Sequence, residues 1–236
     1  EEDENQDEAQ IDDEKKQEKH EETKSNNSSN EKIDWDLDSK IAYLTFDDGP
    51  SKKSTPAILE ILDEYDIKAT FFVIGEMAEQ YPEVLKKVHK SGHQIGNHSY
   101  SHNMKYIYEN KSNFMNDIYK AEKVIKGILG EEFNSKIVRF PGGSFESRKN
   151  PMKKAVSKAG YKYFDWNALN GDAEGKKRNK QQLLDRLKQT TKDKEQVIIL
   201  MHDTDSKATT VEYLKDAIEY LIKEGYKFEV LKNNNL

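Results

Sequence analysis

Ile41-Ala42-Tyr43-Leu44-Thr45-Phe46-Asp47-Asp48-Gly49-Pro50 is a short apolar and β-branched run that ends abruptly on two acids and a Gly-Pro pair. Such a run suits a buried strand, and Gly49-Pro50 stops it. Adjacent carboxylates at a strand end repel each other and lose hydration, so a nearby cation is the simplest offset. One acid then binds a metal while the other stays free as a base. A turn that uses Asp for its Asx hydrogen bonds fits the same tetrapeptide equally well. The rest of the chain decides between them.

Downstream, six further strand-like runs fall at 69–74, 94–96, 137–140, 161–164, 197–201 and 228–231. Helix-like segments at 55–65, 82–90, 113–129, 151–159, 180–190 and 209–223 separate most of them. Asn150 before Pro151 is an N-cap followed by proline at the first helical position, and Gly92, Gly160 and Gly225 are stop signals. This βα rhythm implies a parallel sheet with helices outside it. The fold class is therefore α/β. About seven strands without a glycine-rich nucleotide fingerprint after the first fit a closed or nearly closed (β/α) barrel better than an open sheet.

Composition sets the limits. The 236-residue chain is 34% hydrophobic, and the deficit is concentrated at the start, where residues 1–31 are mostly Glu, Asp, Lys, Gln, Asn and Ser. Such a segment buries too little surface to offset its ordering entropy and is expected to be disordered, with one folded domain over 32–236. A net charge of -6 argues against nucleic-acid binding. No apolar run approaches the ~20 residues of a transmembrane helix. Without cysteine, thiolate metal sites, cysteine nucleophiles and disulfides are excluded. A polar stalk ahead of one domain points to a secreted or cell-surface protein, expected to act as a monomer.

Barrels of this kind carry their chemistry where strands end. The residues there are Asp47 and Asp48, then His98 and His102, Arg139, Asp172, and His202-Asp203. His98 and His102 stand at i and i+4, so one helical turn aims both at one point. With one carboxylate they form a two-histidine, one-carboxylate set that suits a catalytic zinc; nickel, cobalt or iron accept the same ligands. His202 follows a buried strand and is a candidate general acid if a carboxylate keeps it protonated, or else a histidine bonded to a neighbouring loop. His20, His89 and His93 read as ordinary solvent-facing or capping residues.

Thr45-Phe46-Asp47-Asp48-Gly49, His98-Ser99-Tyr100-Ser101-His102, Arg139-Phe140-Pro141-Gly142, an aromatic-Asp segment and Leu200-Met201-His202 occur in the order of the NodB-like polysaccharide deacetylases. The chain resembles that carbohydrate esterase family over roughly residues 40–231. The resemblance implies a distorted (β/α) barrel and one divalent metal, zinc first, on Asp48, His98 and His102. It implies Asp47 as general base, Arg139 as its ion partner, and His202 as general acid oriented by Asp172. Pro141, Gly142, Leu200 and Trp166 are then the expected substrate contacts, with Leu200 against the acetyl methyl group. Two positions depart from the pattern. Gly142-Gly143-Ser144 follows Pro141 where an aromatic wall is usual, so the backbone donor persists at Gly142 without the wall. Asp172 precedes Ala173 where tryptophan is usual, which leaves Asp165, beside Trp166, as a rival partner for His202.

The expected reaction is metal-assisted hydrolysis of N-acetyl groups on an acetylated cell-wall polysaccharide, peptidoglycan N-acetylglucosamine first. An O-acetyl esterase of the acetyl-xylan type is the close alternative, since an alkoxide leaves more easily than an amine. A non-catalytic carbohydrate-binding protein on the same scaffold requires loss of a ligand or the base, and all are present.

Overall fold

The computed structural model describes residues 40–234; segment 1–31, expected to be disordered, and the boundary at 32 lie outside them. Among the described residues there are eight strands: β1 (Lys40–Asp47), β2 (Thr70–Val73), β3 (Gln94–Asn97), β4 (Ile137–Val138), β5 (Lys162–Tyr163), β6 (Ala168–Leu169), β7 (Gln196–His202) and β8 (Tyr226–Phe228). The helices are α1 (Ser54–Glu64), α2 (Gly75–Gln80), α3 (Pro82–Lys90), α4 (Met104–Ile107), α5 (Lys111–Leu129), α6 (Asn150–Lys158), α7 (Lys180–Thr191) and α8 (Ala208–Lys223).

The sheet is parallel throughout and runs β5-β4-β3-β2-β1-β7-β6, with β8 paired to β1. β7 covers one edge of β1 from Ile41 to Asp47. On the other edge β2 takes Thr45–Asp47 and β8 takes 40–42. This is the distorted barrel expected from the sequence, with one more short strand.

Strand alternation sorts the side chains of β1 onto two faces, and a further cluster joins Val138 and Phe140 to Phe114, Ile118 and Val156. Ala42, Leu44 and Phe46 face outward and pack with Val197, Ile199 and Met201 under α1 and α8. Tyr43 faces inward, where Phe72, Ile137, Phe164 and Leu231 plug the barrel. Thr45 and Asp47 continue that inward face toward the strand ends. Each fully buried aromatic or aliphatic side chain contributes about 1.5–3 kcal/mol, so the plug is rigid support for what sits above it.

β6 was not expected: Ala168-Leu169 has no periodicity of its own and is strand only because it pairs with β7. α2 and α4, of six and four residues, are likewise too short to show a helical period. The last strand lies at Tyr226–Phe228 and not 228–231, because Lys40–Ala42 pair there, while Leu231 turns into the interior and donates its N–H to Thr70 Oγ1 (3.0 Å). His93 is also corrected. It is buried, its Nδ1 accepts the Ala69 N–H at 3.1 Å, and its ring meets Phe71 edge-on.

Candidate active site

Because every strand is parallel, the C-terminal ends of β1, β3, β4 and β7 open onto one rim. There Asp47 is the register partner of His202. Asp48 breaks the alternation with a φ of 75°, which turns the second carboxylate back over the rim. Gly49 follows because nothing larger fits: a Cβ there would lie 2.1 Å from Asp203 Oδ2. The Asp203 carboxyl, buried beneath the loop, accepts from Thr55 Oγ1 at 2.6 Å, and burial pushes it up to about 7.

Asp47 is buried with a fully buried arginine. Arg139 Nη1 donates to Asp47 Oδ1 at 2.9 Å and to Thr45 Oγ1 at 2.6 Å; Nε donates to the Phe164 carbonyl at 3.0 Å. Its guanidinium lies over the Phe72 ring at 4.2 Å. Such an inward cation would be costly alone, and Asp47 is the charge that offsets it. Asp47 Oδ2 faces His98 Nε2 at 3.7 Å.

Asp48, His98 and His102 converge. His98 Nε2 and His102 Nε2 lie 3.5 and 3.4 Å from Asp48 Oδ1, and the three ligand atoms fall within 4.8 Å of one another. They are not brought together by a helical turn, as the i, i+4 spacing predicted. Residues 98–103 form an irregular loop in which Ser99 (φ 67°) and His102 (φ 51°) are left-handed. Side chains the sequence reading passed over hold that loop: Asn97 Oδ1 accepts the Ser99 N–H, and Asp117 Oδ2 accepts those of Tyr100 and Ser101. His98 Nδ1 is bonded to the Arg139 carbonyl at 2.8 Å, which fixes the ring and leaves Nε2 for the site.

This donor set fits a divalent cation. Asp48 Oδ1 is buried with no hydrogen-bond partner, an expensive state for a carboxylate oxygen unless a cation meets it. Burial pushes the Asp48 carboxyl up, but the facing His98, His202 and His102 imidazoles outweigh burial and hold it below the ordinary carboxylate range. Two imidazoles and one carboxylate leave coordination positions open for water and substrate.

Across the rim, His202 Nδ1 lies 2.7 Å from Asp172 Oδ1, and Asp172 Oδ2 accepts the His202 backbone N–H at 2.9 Å. Thr210 Oγ1 adds a third bond to that carboxylate. Burial disfavours the imidazolium, but Asp172, with Asp47 and Asp48 behind it, raises His202 to about 9. Asp165 is engaged elsewhere, accepting from the Ser144 N–H (2.8 Å) and hydroxyl (2.5 Å). Between the two candidates, Asp172 is the one in contact with His202.

Leu200 is half-buried on the inner face of β7, in register with Thr45. Phe140 to Gly143 form a turn closed by Gly143 N–H to the Phe140 carbonyl (2.7 Å), with Gly142 at φ 70°. Just beyond it, Phe145 is 63% exposed and meets Trp166 edge-on at 5.3 Å, beside Gly143. An aromatic pair of exposed Phe145 and half-buried Trp166 therefore stands next to this loop although no aromatic follows Pro141 directly; Trp166 is among the expected substrate contacts, and Phe145 is not.

Comparison with known proteins agrees with this geometry. The family model described as polysaccharide deacetylase matches residues 35–164. A peptidoglycan-N-acetylglucosamine deacetylase of Bacillus cereus is 33% identical over 193 residues, covering 80% of this chain and 68% of the relative. A peptidoglycan-N-acetylmuramic acid deacetylase of Bacillus subtilis is 33% identical over 193 residues, covering 81% of this chain but 38% of that protein. Among solved structures, a Streptococcus mutans CE4 esterase superposes with a TM-score of 0.78 at 30% identity, covering 83% of this chain and 87% of the other. The catalytic domain of a peptidoglycan N-acetylglucosamine deacetylase from Eubacterium rectale superposes with a TM-score of 0.76 at 32% identity, covering 84% and 91%.

Proposed function

The chain belongs to the polysaccharide deacetylase family, and from that premise we propose that it hydrolyses N-acetyl groups of peptidoglycan N-acetylglucosamine outside the cell. The observation that carries this reading is the opposition, on one rim, of the Asp48–His98–His102 cluster with its Arg139-bound Asp47 and the Asp172-bound His202.

A divalent cation held by Asp48, His98 and His102, zinc first, would polarise the acetyl carbonyl and make a water more acidic. Asp47 is the base. Arg139 occupies its Oδ1, and Oδ2 is left to take the proton from the attacking water. The developing oxyanion is met by the Gly142 N–H, and the acetyl methyl group packs on Leu200. His202, oriented through Nδ1 by Asp172, gives the proton on Nε2 to the departing amine. An amide needs that proton, because an amine anion is too basic to leave unaided. Acetate and a free amino sugar result.

The test is release of primary amine from N-acetylglucosamine oligomers and from peptidoglycan, with and without a chelator. Amine release that stops on chelation and returns with zinc supports the reading. Acetate release from O-acetylated xylan with no amine release from the N-acetylated substrates would reassign the chain as an esterase.

A further inference from the structure

We propose that Tyr108 and Lys149 are positioning residues that lock the Pro141–Gly142 peptide so that the Gly142 N–H stays aimed at the oxyanion; this rests on the reading of Gly142 as oxyanion donor. The two atoms that matter belong to one rigid group. The Pro141 carbonyl and the Gly142 N–H share a planar trans peptide and point in opposite directions, so whatever grips the carbonyl aims the N–H.

The carbonyl is gripped twice. Tyr108 Oη donates to Pro141 O at 2.7 Å, and Lys149 Nζ lies 3.4 Å from the same oxygen. Lys149 Nζ also donates to Gly143 O at 2.5 Å, bracketing the glycine pair from both sides. Both clamping groups are themselves held. The Lys149 side chain is 2% exposed, and its ammonium lies 4.2 Å above the Tyr108 ring. Tyr108 stacks on Phe114, which stacks on Phe140 at the start of the turn. Burial pushes the Tyr108 phenol up, so it remains a donor across the working pH range.

The loop needs such a clamp. Proline at the second position, Gly142 at φ 70° and the Gly143-to-Phe140 bond are the features of a type II turn. Types I and II differ by rotation of the central peptide, here the Pro141–Gly142 unit, which reverses its N–H. Among the described residues the Gly142 N–H donates to no protein acceptor, so no bond of its own opposes that rotation. A buried ammonium on the carbonyl also polarises the peptide, which makes the N–H a stronger donor.

The sequence supplies a selective probe. Of five prolines only Pro141 precedes a glycine, so labelling proline carbonyl carbon with ¹³C and glycine nitrogen with ¹⁵N isolates this one peptide unit by NMR. In the full chain, Tyr108→Phe keeps the stacked ring and loses the hydroxyl, and Lys149→Met keeps the aliphatic bulk and loses the charge. Each variant is expected to shift the Pro141 carbonyl and Gly142 amide signals. Each should also lower kcat on N-acetylglucosamine oligomers about tenfold with KM within twofold, a fraction of the loss when an oxyanion donor is deleted. Unmoved signals in both variants would overturn the clamp, whatever the activity. Shifted signals with unchanged kcat would overturn its link to the oxyanion. A parent protein inactive on every acetylated oligomer would defeat the functional reading instead, with the NMR signals still deciding whether the clamp exists.

Discussion

Arg139 and Asp47 form a buried ion pair, Nη1 to Oδ1 at 2.9 Å, directly beneath the rim where Asp48, His98 and His102 converge. Breaking a buried pair strands the remaining charge, at a cost of about 3–5 kcal/mol. Arg139→Met is therefore expected to lower unfolding free energy in urea by about that amount. Pairing it with Asp47→Asn should recover part of the stability and none of the turnover. Additive losses in the double variant would show that the two side chains are not energetically coupled.

The two neighbouring acids are expected to part company on metal content. Asp48→Asn and His98→Ala should lose bound metal, because Asp48 Oδ1 and His98 Nε2 face the common point. Asp47→Asn should retain it and lose about a hundredfold or more in turnover, as for removal of a general base. Elemental analysis after dialysis decides this. Equal metal loss in the Asp47 and Asp48 variants would defeat the division of roles.

How far the sequence discloses these features depends on the range of the interaction that makes them. Long apolar strands such as β1 and β7 and amphipathic helices such as α5 and α8 write their own period into the chain, so they are legible locally. β6 is strand only because β7 offers it an edge, and α2 and α4 are shorter than a readable period. At the site, residue types at strand ends are visible as motifs, but the means of convergence is not. The i, i+4 spacing of His98 and His102 reads as a helical turn, whereas a left-handed loop bonded to Asn97 and Asp117 delivers them. The choice between Asp172 and Asp165 is likewise tertiary, since it turns on Ser144 occupying Asp165. Lys149 and Tyr108 carry no motif at all.

His93 provides a pH-dependent stability signal far from the chemistry. Burial, helped by Lys68 and opposed by Asp63, lowers it to about 4 from an ordinary 6.5. The native state thus holds the neutral ring, while the unfolded chain takes up a proton below about pH 6.5. The sign follows: its contribution is fully present above that pH and is lost as pH falls toward 4, up to about 3 kcal/mol. Melting temperature of the parent should fall over that window more steeply than that of His93→Gln, whose amide oxygen can accept the Ala69 N–H without titrating. Parallel slopes would show that His93 is protonated in the folded state.

His202 should separate amide from ester hydrolysis. If it protonates the leaving group, its removal hurts most where that group is most basic. An amine leaving a tetrahedral intermediate requires the proton, while a phenolate departs with little help. His202→Ala should therefore lose about 10²–10⁴-fold on an N-acetylglucosamine oligomer, as for loss of a positioned acid, and far less on an activated phenyl acetate. Asp172→Asn should show the same asymmetry in weaker form, because the ring remains but the carboxylate that orients and charges it through Nδ1 is gone. Equal losses on both substrates would place His202 before leaving-group departure, and the proton donor would then have to be sought among the other groups at the rim.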